Sequence, residues 1–216
     1  MLYRTDNKRQ ERFRFKFRFR EMRDQKRQHQ YHVAYMNMAI AVAQLSHAER
    51  KKVGCILVSP NDQVVAQGYN GTPKGFDNRC EIDFCDKYDK PISKLEPSIL
   101  ESCMYDHYMT CDRCSHHRSK TKEEVLHAES DAIAKCARST NSSEGCTLYV
   151  TMSPCVNCAK TIIQSGIVAV YYLEPYKDSS GLDLLRSAGI DVHKLDIEGS
   201  YLSPNFIPDN IPSIDH

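Results

Sequence analysis

The sequence predicts a single α/β domain of three layers, with helices on both faces of a sheet whose second half is largely parallel. Between residues 127 and 194, helix-like and strand-like patterns of apolar residues alternate, which is typical of parallel strands joined by helices. Glycines stand at the expected joins, as Gly145, Gly166, Gly181 and Gly189. At 216 residues the chain can bury a substantial core, and it contains no internal repeat.

Residues 1–30 precede this domain and differ from it in charge. They hold eleven Lys or Arg and four Asp or Glu, a net of +7, whereas the rest of the chain carries a net of −6. From Phe13 to Arg20, aromatic and basic residues alternate with the period of a strand that could contact an acidic surface or nucleic acid. A disordered extension, or sequence upstream of a natural start at Met22 or Met36, fits this composition better. We therefore expect 1–30 to lie outside the fold.

The elements of the domain follow in order. The apolar spacing predicts helices over 31–46, 127–138, 155–165 and 179–188, and strands over 53–59, 63–69, 146–151, 168–173 and 190–194. Residues 76–125 match neither pattern and are too long for a bare loop, so something other than a hydrophobic core must organise them. The tail over 196–216, which contains three prolines, is expected to be irregular and at the surface.

Two short motifs predict the chemistry of the chain. His127 supplies an imidazole, and Cys155 and Cys158 supply two thiolates, which together suit Zn²⁺ and leave a fourth corner of its tetrahedron for water. A structural zinc site would fill all four corners with protein ligands. Glu129 is not needed as a ligand and is placed to take a proton from that water and pass it on. This H-x-E…P-C-x-x-C pattern is the known signature of zinc nucleobase deaminases.

The residues around the motifs explain their spacing. Ser153 and Pro154 fit an N-cap and first helical residue, so both sulfurs should project from the first turn of one helix. The positive end of that helix favours the thiolate forms that bind metal. His127 should begin another helix, because Ala132, Ile133, Ala134 and Ala137 continue behind it with helical spacing.

Each motif alone has a plainer interpretation. A lone H-x-E is usually a polar helix face, and a lone C-x-x-C is as often a redox pair or half of a structural zinc site. Together, in this order and with a proline before the first cysteine, the two motifs favour a catalytic zinc centre.

Four segments of the chain extend the comparison beyond the zinc motifs. They are GYNGTPKG at 68–75, HAESDAI at 127–133, YVTMSPCVNCAK at 149–160 and QSGI at 164–167. These segments closely resemble the deoxycytidylate (dCMP) deaminases, especially those of bacteria and phages, over about residues 31–195. The zinc motifs also admit cytidine, guanine, riboflavin-pathway and transfer-RNA adenosine deaminases. The GYNG segment is more particular to enzymes that act on the free nucleotide.

The resemblance implies a fold and a reaction. The fold is that of the cytidine deaminases, a five-stranded mixed sheet with helices on both faces. The reaction is the hydrolytic deamination of dCMP to dUMP and ammonia, which supplies dUMP for thymidylate synthesis.

The resemblance also implies substrate contacts for five residues. Asn70 should hold the deoxyribose 3′-hydroxyl, while the Ala128 N–H and the Ser153 carbonyl contact O2 and the 4-amino group of cytosine. Arg50 and Tyr176 match positions near the nucleotide phosphate, although each is equally an ordinary surface residue.

Regulation and assembly are implied in the same way. The family suggests a homohexamer that dCTP activates and dTTP inhibits, with Mg²⁺ accompanying the triphosphate. Gly71, Asp77 and Asn78 belong to the loop expected to hold this effector at a subunit contact. Arg138 matches an arginine implicated in subunit communication, or is a plain cation at a helix C-terminus.

The segment 76–125 is predicted to hold a second, structural zinc ion. It contains two cysteine pairs, enough for a closed tetrahedral site, formed by Cys80, Cys85, Cys111 and Cys114. His116 or His117 is the main candidate to replace one of them, and free thiols in a flexible lid are the alternative. Several bacterial and phage dCMP deaminases hold a zinc ion in this insertion, which favours the same interpretation. The cysteines with apolar neighbours are expected in the core, namely Cys55, Cys136 and Cys146.

Composition indicates a cytoplasmic protein without a membrane span. Charged residues make up 26% of the chain, and no apolar run approaches 18 residues. Ten cysteines would suggest disulfides in a small secreted chain, but the sequence does not begin with an apolar signal stretch. The C-x-x-C spacing instead favours metal in a reducing compartment.

Two other functions stay open. A polynucleotide cytidine deaminase, which the basic extension would suit, needs an open groove for a flipped or single-stranded base. A zinc-stabilised nucleotide sensor would have no use for the proton transfer of Glu129. The sequence therefore favours a small nucleotide substrate, and nucleic acid is not expected as a partner.

Overall fold

The computed structural model describes residues 27–85, 88–97 and 117–197. The helices are α1 (27–43), α2 (Ala128–Ala137), α3 (Val156–Gln164) and α4 (Ser180–Ser187). The strands are β1 (Gly54–Val58), β2 (Val64–Tyr69), β3 (Glu81–Cys85), β4 (Lys90–Pro91), β5 (His117–Thr121), β6 (Thr147–Met152), β7 (Ala169–Glu174) and β8 (Asp191–Lys194). Within these residues no helix is long and apolar enough to cross a membrane.

The main sheet has five strands in the order β2-β1-β6-β7-β8. β1 pairs antiparallel with β2 and β6, whereas β6, β7 and β8 run parallel. All five residues of β1 are buried, as expected for a strand covered on both faces. The predicted mixed sheet with a parallel second half is confirmed.

Two hydrophobic clusters make the three layers. On one face, α1 packs Met36, Ala39 and Val42 against Ile56 of β1 and Tyr149 of β6. On the other face, α2, α3 and α4 cover the sheet, and this cluster includes the three predicted core cysteines, Cys55, Cys136 and Cys146. All three are at most 2% exposed, which confirms that expectation.

The prediction for 76–125 was wrong in part, because this segment contains a second sheet. Its strand order is β4-β3-β5, and β3 and β5 pair antiparallel with Glu81 opposite Thr121 and Cys85 opposite His117. The sequence of β5, HRSKT, has no apolar residue, so a search for apolar periodicity could not find it. Backbone pairing to β3, and not a hydrophobic face, forms this strand.

The beginning of α1 also differs from the prediction. The helix is already formed at residue 27, four positions before the expected start at 31. The last residues of the basic extension therefore belong to the fold. The Phe13–Arg20 segment and the tail from 198 lie outside the described residues.

Candidate metal and substrate site

Three predicted ligands meet at the starts of two helices. His127 is the N-cap of α2, Cys155 is the N-cap of α3, and Cys158 lies in the first turn of α3. The His127 Nδ1 atom lies 3.5 Å from Sγ of Cys155 and 3.3 Å from Sγ of Cys158. Zinc–nitrogen and zinc–sulfur bonds of about 2.0 and 2.3 Å fit atoms at such separations. The three side chains can therefore hold one zinc ion.

The helix that bears the cysteines begins later than predicted. Cys155 occupies the N-cap position expected for Ser153, and the helix starts at Val156. Pro154 therefore precedes the cap and is not the first helical residue. Both sulfurs nevertheless lie at the first turn, because the spacing of three residues keeps them on one side of the helix.

The thiols of the cluster influence each other's protonation. Hydrogen bonds from Cys158 and from His127 lower the pKa of Cys155 to about 3. The same interaction with Cys155 raises the pKa of Cys158, which burial raises further. Without metal, Cys155 is therefore the thiolate of the pair, and it is the more exposed of the two. A thiolate beside an imidazole is a ready ligand for a metal ion.

Glu129 is the acidic residue of the cluster. It lies two residues after His127 on α2, and only 3% of its surface is exposed. Burial raises the pKa of its carboxyl group, the effect expected when a charged form is removed from water. A carboxyl group whose pKa is raised in this way is protonated more readily than an exposed one, which suits a group that must both accept and release a proton.

Close packing fixes the helix that bears Glu129. Gly68 of β2 faces the first turns of α2, where a Cβ atom would lie 2.3 Å from the Ala128 carbonyl oxygen and 2.4 Å from the Ala132 nitrogen. Because neither backbone atom can move away cheaply, only glycine fits here. The glycine of the GYNG segment thus allows the sheet to support the helix directly.

A cavity of about 510 Å³ opens beside the cluster. Asn70, Arg50, Ser153 and Tyr176, which were predicted to contact substrate, line it together with His127, Glu129 and Cys155. Ala128, the remaining predicted contact, is fully buried at the first position of α2. The structure therefore brings the predicted substrate residues and the metal ligands to one place.

Asn70 holds the rim of this cavity together. Its Oδ1 accepts the Val53 N–H at 2.8 Å, and its Nδ2 donates to the Lys51 carbonyl at 2.8 Å. An amide side chain has two N–H groups and two acceptor sites, so one of each is left for a ligand.

Ser153 and Tyr176 are joined on the opposite side. The Tyr176 N–H donates to Ser153 Oγ at 2.7 Å, and the Ser153 N–H donates to the Glu174 carbonyl at 2.8 Å. These bonds place the loop after β7 next to the metal-binding loop. Neither side chain needs to move to reach the cavity.

Several cavity residues were not predicted from the sequence. The described lining also includes Lys51, Glu81, Arg118, Lys120, Thr121 and Lys177. Three of these come from β5, whose polar sequence does not predict a strand. The one hint in the sequence was the run of basic residues RSKTK at 118–122. This run does not show that its side chains line the cavity unless the pairing of β5 with β3 is known.

A second cavity, also about 510 Å³, lies between the GYNG loop and α2. Gly71, Asn78 and Arg138 line it, as do Lys74 and Lys135. Asp77 is not among its lining residues, since its carboxylate accepts hydrogen bonds from the Arg79 N–H and from Lys122. Three of the four residues expected around an effector thus share one cavity.

The loop and the metal centre are directly connected. Gly71 and Leu126 exchange two backbone hydrogen bonds, of 3.1 and 2.9 Å. Leu126 immediately precedes His127, and Gly71 immediately follows Asn70. A displacement of the loop would therefore move His127, a metal ligand, and Asn70, a residue of the cavity rim, because each is bonded directly to one of the two paired residues.

The four-cysteine ligand set of the second zinc needs correction. Cys80 directly precedes β3 and Cys85 ends it, so an extended backbone separates their Cα atoms by about 17 Å. Zinc–sulfur bonds of about 2.3 Å cannot bridge that distance. Cys111 and Cys114 lie outside the described residues, and within those residues the one cluster of three metal ligands is His127, Cys155 and Cys158.

Comparison with known proteins agrees with this site. Residues 29–174 match the model of the cytidine and deoxycytidylate deaminase zinc-binding region. The chain belongs to this deaminase family. Together, the zinc-binding family and the geometry of the three ligands identify zinc as the metal of this deaminase.

Phage enzymes are among the relatives of this chain. This deaminase is 37% identical over 169 residues to the deoxycytidylate deaminase of Enterobacteria phage T4, which covers 73% of this chain and 86% of the relative. The deoxycytidylate deaminase of Enterobacteria phage T2 is 37% identical over 173 residues, a match that covers 73% of this chain and 88% of the relative. The dCMP deaminase of cyanophage S-TIM5, solved in complex with dCMP and dUMP, superposes with a TM-score of 0.55 and 35% identity over 74% of this chain and 93% of that one.

Proposed function

We propose that this deaminase hydrolyses dCMP to dUMP and ammonia. The main observation is the placement of buried Glu129 beside three zinc ligands in a cavity whose rim is rich in Lys and Arg. Similarity to the S-TIM5 dCMP deaminase, which was solved with dCMP and dUMP, supports the choice of substrate.

The chemistry is divided between the metal and one carboxyl group. Zinc, when bound to His127, Cys155 and Cys158, lowers the pKa of a water at its open corner and so supplies the nucleophile near neutral pH. Glu129 accepts the proton released from the nucleophile and delivers it to N3 of the ring. Once the nucleophile has added to C4, the same carboxyl group takes its second proton and delivers it to the 4-amino group, which leaves as ammonia while the C4 carbonyl of dUMP forms. Its raised pKa suits it to both directions of transfer.

The remaining contacts orient the nucleotide. Asn70 has one free N–H and one acceptor site for the 3′-hydroxyl, while the Ala128 N–H and the Ser153 carbonyl contact the base edge. Arg50 and Tyr176 hold the 5′-phosphate. All five residues line or adjoin the cavity, which supports these assignments.

A polynucleotide substrate is the competing possibility. The cavity of about 510 Å³ matches a single nucleotide. Ammonia release from dCMP, deoxycytidine, dCTP and a cytosine-containing oligonucleotide, measured side by side, tests the choice. Turnover of dCMP should exceed that of the oligonucleotide, whereas a preference for the oligonucleotide would overturn the proposal. Binding without any turnover would indicate a nucleotide sensor instead.

Regulation by dCTP and dTTP is proposed for the second cavity. Lys74, Lys135 and Arg138 offer positive charge there to a triphosphate with its Mg²⁺ ion, and the exchanged bonds between Gly71 and Leu126 connect the loop to the metal centre. Activity with dCMP, measured against each triphosphate, tests this. Substitution of Arg138 by Gln should weaken the response without changing the basal rate.

A homo-oligomer, expected to be a hexamer, is supported by α1. Tyr31 and Met38 lie seven residues apart on one face of α1, Leu45 follows two residues after the helix ends, and each of the three is more than 40% exposed. Such a row of apolar side chains is suited to contact with another subunit. Light scattering measures the assembly directly.

A second zinc ion also remains part of the proposal, with a revised ligand set. Cys85 lies opposite His117 in the β3–β5 pairing, so these two positions are neighbours whereas Cys80 and Cys85 are not. This register favours the alternative in which a histidine replaces Cys80, together with Cys111 and Cys114. A reducing cytoplasm, the expected location, keeps such thiols available for metal.

A further inference from the structure

We infer that Glu81 and Thr121 are positioning residues that fix Arg50 toward the nucleotide phosphate, so that the second sheet determines substrate specificity. This inference rests on the proposed function, and it assigns a role to two cavity residues that are neither zinc ligands nor among the proposed contacts to the base.

Glu81 is a buried acidic residue, so its carboxylate needs hydrogen-bond donors from the protein. Only 2% of its surface is exposed, and it lines the cavity. Its Oε1 accepts the N–H groups of Glu49 and Arg50 at 3.2 and 3.3 Å, and its Oε2 lies 3.2 Å from the same Glu49 N–H. Hydrogen bonds to a buried carboxylate are among the strong ones in proteins. They hold the backbone of the loop between α1 and β1.

Thr121 contacts the guanidinium group of Arg50. The Arg50 Nη1 atom donates to Thr121 Oγ1 at 3.5 Å. Thr121 stands directly opposite Glu81 in the β3–β5 register. One cross-strand pair therefore contacts Arg50 both at its main chain and at its guanidinium group.

This arrangement has a consequence for phosphate binding. An exposed arginine normally samples many rotamers, and holding both its main chain and its guanidinium group removes much of that freedom before substrate arrives. The gain appears as tighter binding of the phosphorylated substrate. It should leave the chemical step at zinc and Glu129 unchanged.

The test compares Glu81→Met, which removes both acceptor oxygens at similar size, with Glu81→Gln, which keeps one. Glu81→Met should raise KM for dCMP roughly tenfold with kcat within about threefold, and Glu81→Gln should recover much of the loss. The inhibition constant of deoxycytidine, which lacks the phosphate, should stay the same. Zinc content should also be unchanged.

Thr121→Val provides a variant at the surface whose folding is not at risk. It should raise KM for dCMP severalfold. Two double variants combine Arg50→Gln with Glu81→Met or with Thr121→Val. Neither should raise KM for dCMP above the value of Arg50→Gln alone, because both residues act through the same arginine. Asp83→Asn is the matched control, an exposed carboxylate on the same strand that pairs with Arg79.

The outcomes separate this inference from the proposed function. A wild-type protein that does not deaminate dCMP would overturn the proposed function. An active wild type whose KM is unchanged in both Glu81→Met and Thr121→Val would overturn the positioning role. Equal weakening of dCMP and deoxycytidine would also overturn it, because general damage to the cavity would then explain the loss.

Discussion

Gly181 of α4 lies against Pro154 so closely that a Cβ atom on the glycine would be 2.1 Å from the proline carbonyl oxygen. The next contact is the carbonyl carbon of Cys155, at 2.8 Å. α4 thus braces the loop that presents the first cysteine ligand, although none of its own residues is a predicted ligand.

Gly181→Ala should therefore damage both the fold and the metal centre. The methyl group must displace backbone, so we expect a loss of at least about 1–3 kcal/mol in the free energy of unfolding and weaker zinc retention. Gly71→Ala is the control, since its Cβ would meet only the Tyr69 ring at 3.7 Å. Thermal unfolding and metal analysis of the two variants measure the difference. A Gly181→Ala protein as stable as Gly71→Ala would contradict the bracing role.

Glu129→Gln should keep the catalytic zinc and lose nearly all turnover. Glutamine preserves the shape of the side chain but cannot transfer a proton, and general acid–base catalysis is worth about 10²–10⁴ in rate. The rate of dCMP deamination and the zinc content of the same preparation are the two measurements. Residual activity within about tenfold of the parent would remove the assigned proton transfer.

Metal analysis should find two zinc ions per chain, one of which survives Cys155→Ser. The two proposed sites share no ligand, so a change at one should leave the other filled. Cys85→Ser should reduce the melting temperature more than the rate of deamination, because structural zinc contributes mainly to folding. One zinc per chain, with no effect of Cys85→Ser on melting, would exclude the second site.

Stability should depend on His32 at mildly acidic pH. This histidine of α1 stacks on Tyr171 and lies 2.7 Å from the Tyr149 hydroxyl through Nδ1. Burial, together with His29 and His193, lowers its pKa, while Asp62 opposes the shift. As pH falls below the ordinary histidine value of about 6.5, the unfolded chain binds a proton that the folded chain does not, so the folded state loses stability.

His32→Gln removes this titration and keeps an acceptor for the Tyr149 hydroxyl. Between pH 7.5 and 5.5, the wild-type melting temperature should therefore fall more than that of the variant. Other titrating groups, including the metal ligands, are common to both proteins and cancel in the comparison. Parallel pH profiles would show that His32 does not contribute.

Deletion of 1–26 should leave the kinetic constants for dCMP within about a factor of three, because the proposed site begins at Arg50. The deletion ends at 26 because α1 is already formed at 27. Adventitious binding to nucleic acid should be lost with the extension, and in the full chain it should weaken steeply with salt. A shortened enzyme that loses activity or becomes a smaller oligomer would show that the extension packs on the body.

The part of the molecule that the sequence predicted well is the part built on apolar patterns. β1, β6 and β7 are apolar runs covered on both faces, and the helices between them repeat apolar residues at helical spacing, so each could be recognised locally. The zinc ligands could be predicted equally well, because His127, Cys155 and Cys158 belong to a motif whose spacing reflects coordination geometry.

The second sheet could not be predicted in the same way. β5 is polar throughout, and its position depends on hydrogen bonds to β3, more than thirty residues earlier in the chain. Without that register, Cys80 and Cys85 looked like a metal-binding pair, although they lie at opposite ends of one strand. The roles inferred for Glu81 and Thr121 were hidden for the same reason, since neither residue belongs to a recognisable motif.

The zinc ligands differ in their access to solvent, and this has a consequence for how the ion comes and goes. Cys158 is buried, whereas His127 and Cys155 face the cavity that we propose receives the nucleotide. Ion and substrate therefore share one route. A bound nucleotide stands in the path of a chelator, so zinc exchange should be slowest in the working enzyme and fastest in dilute protein without substrate.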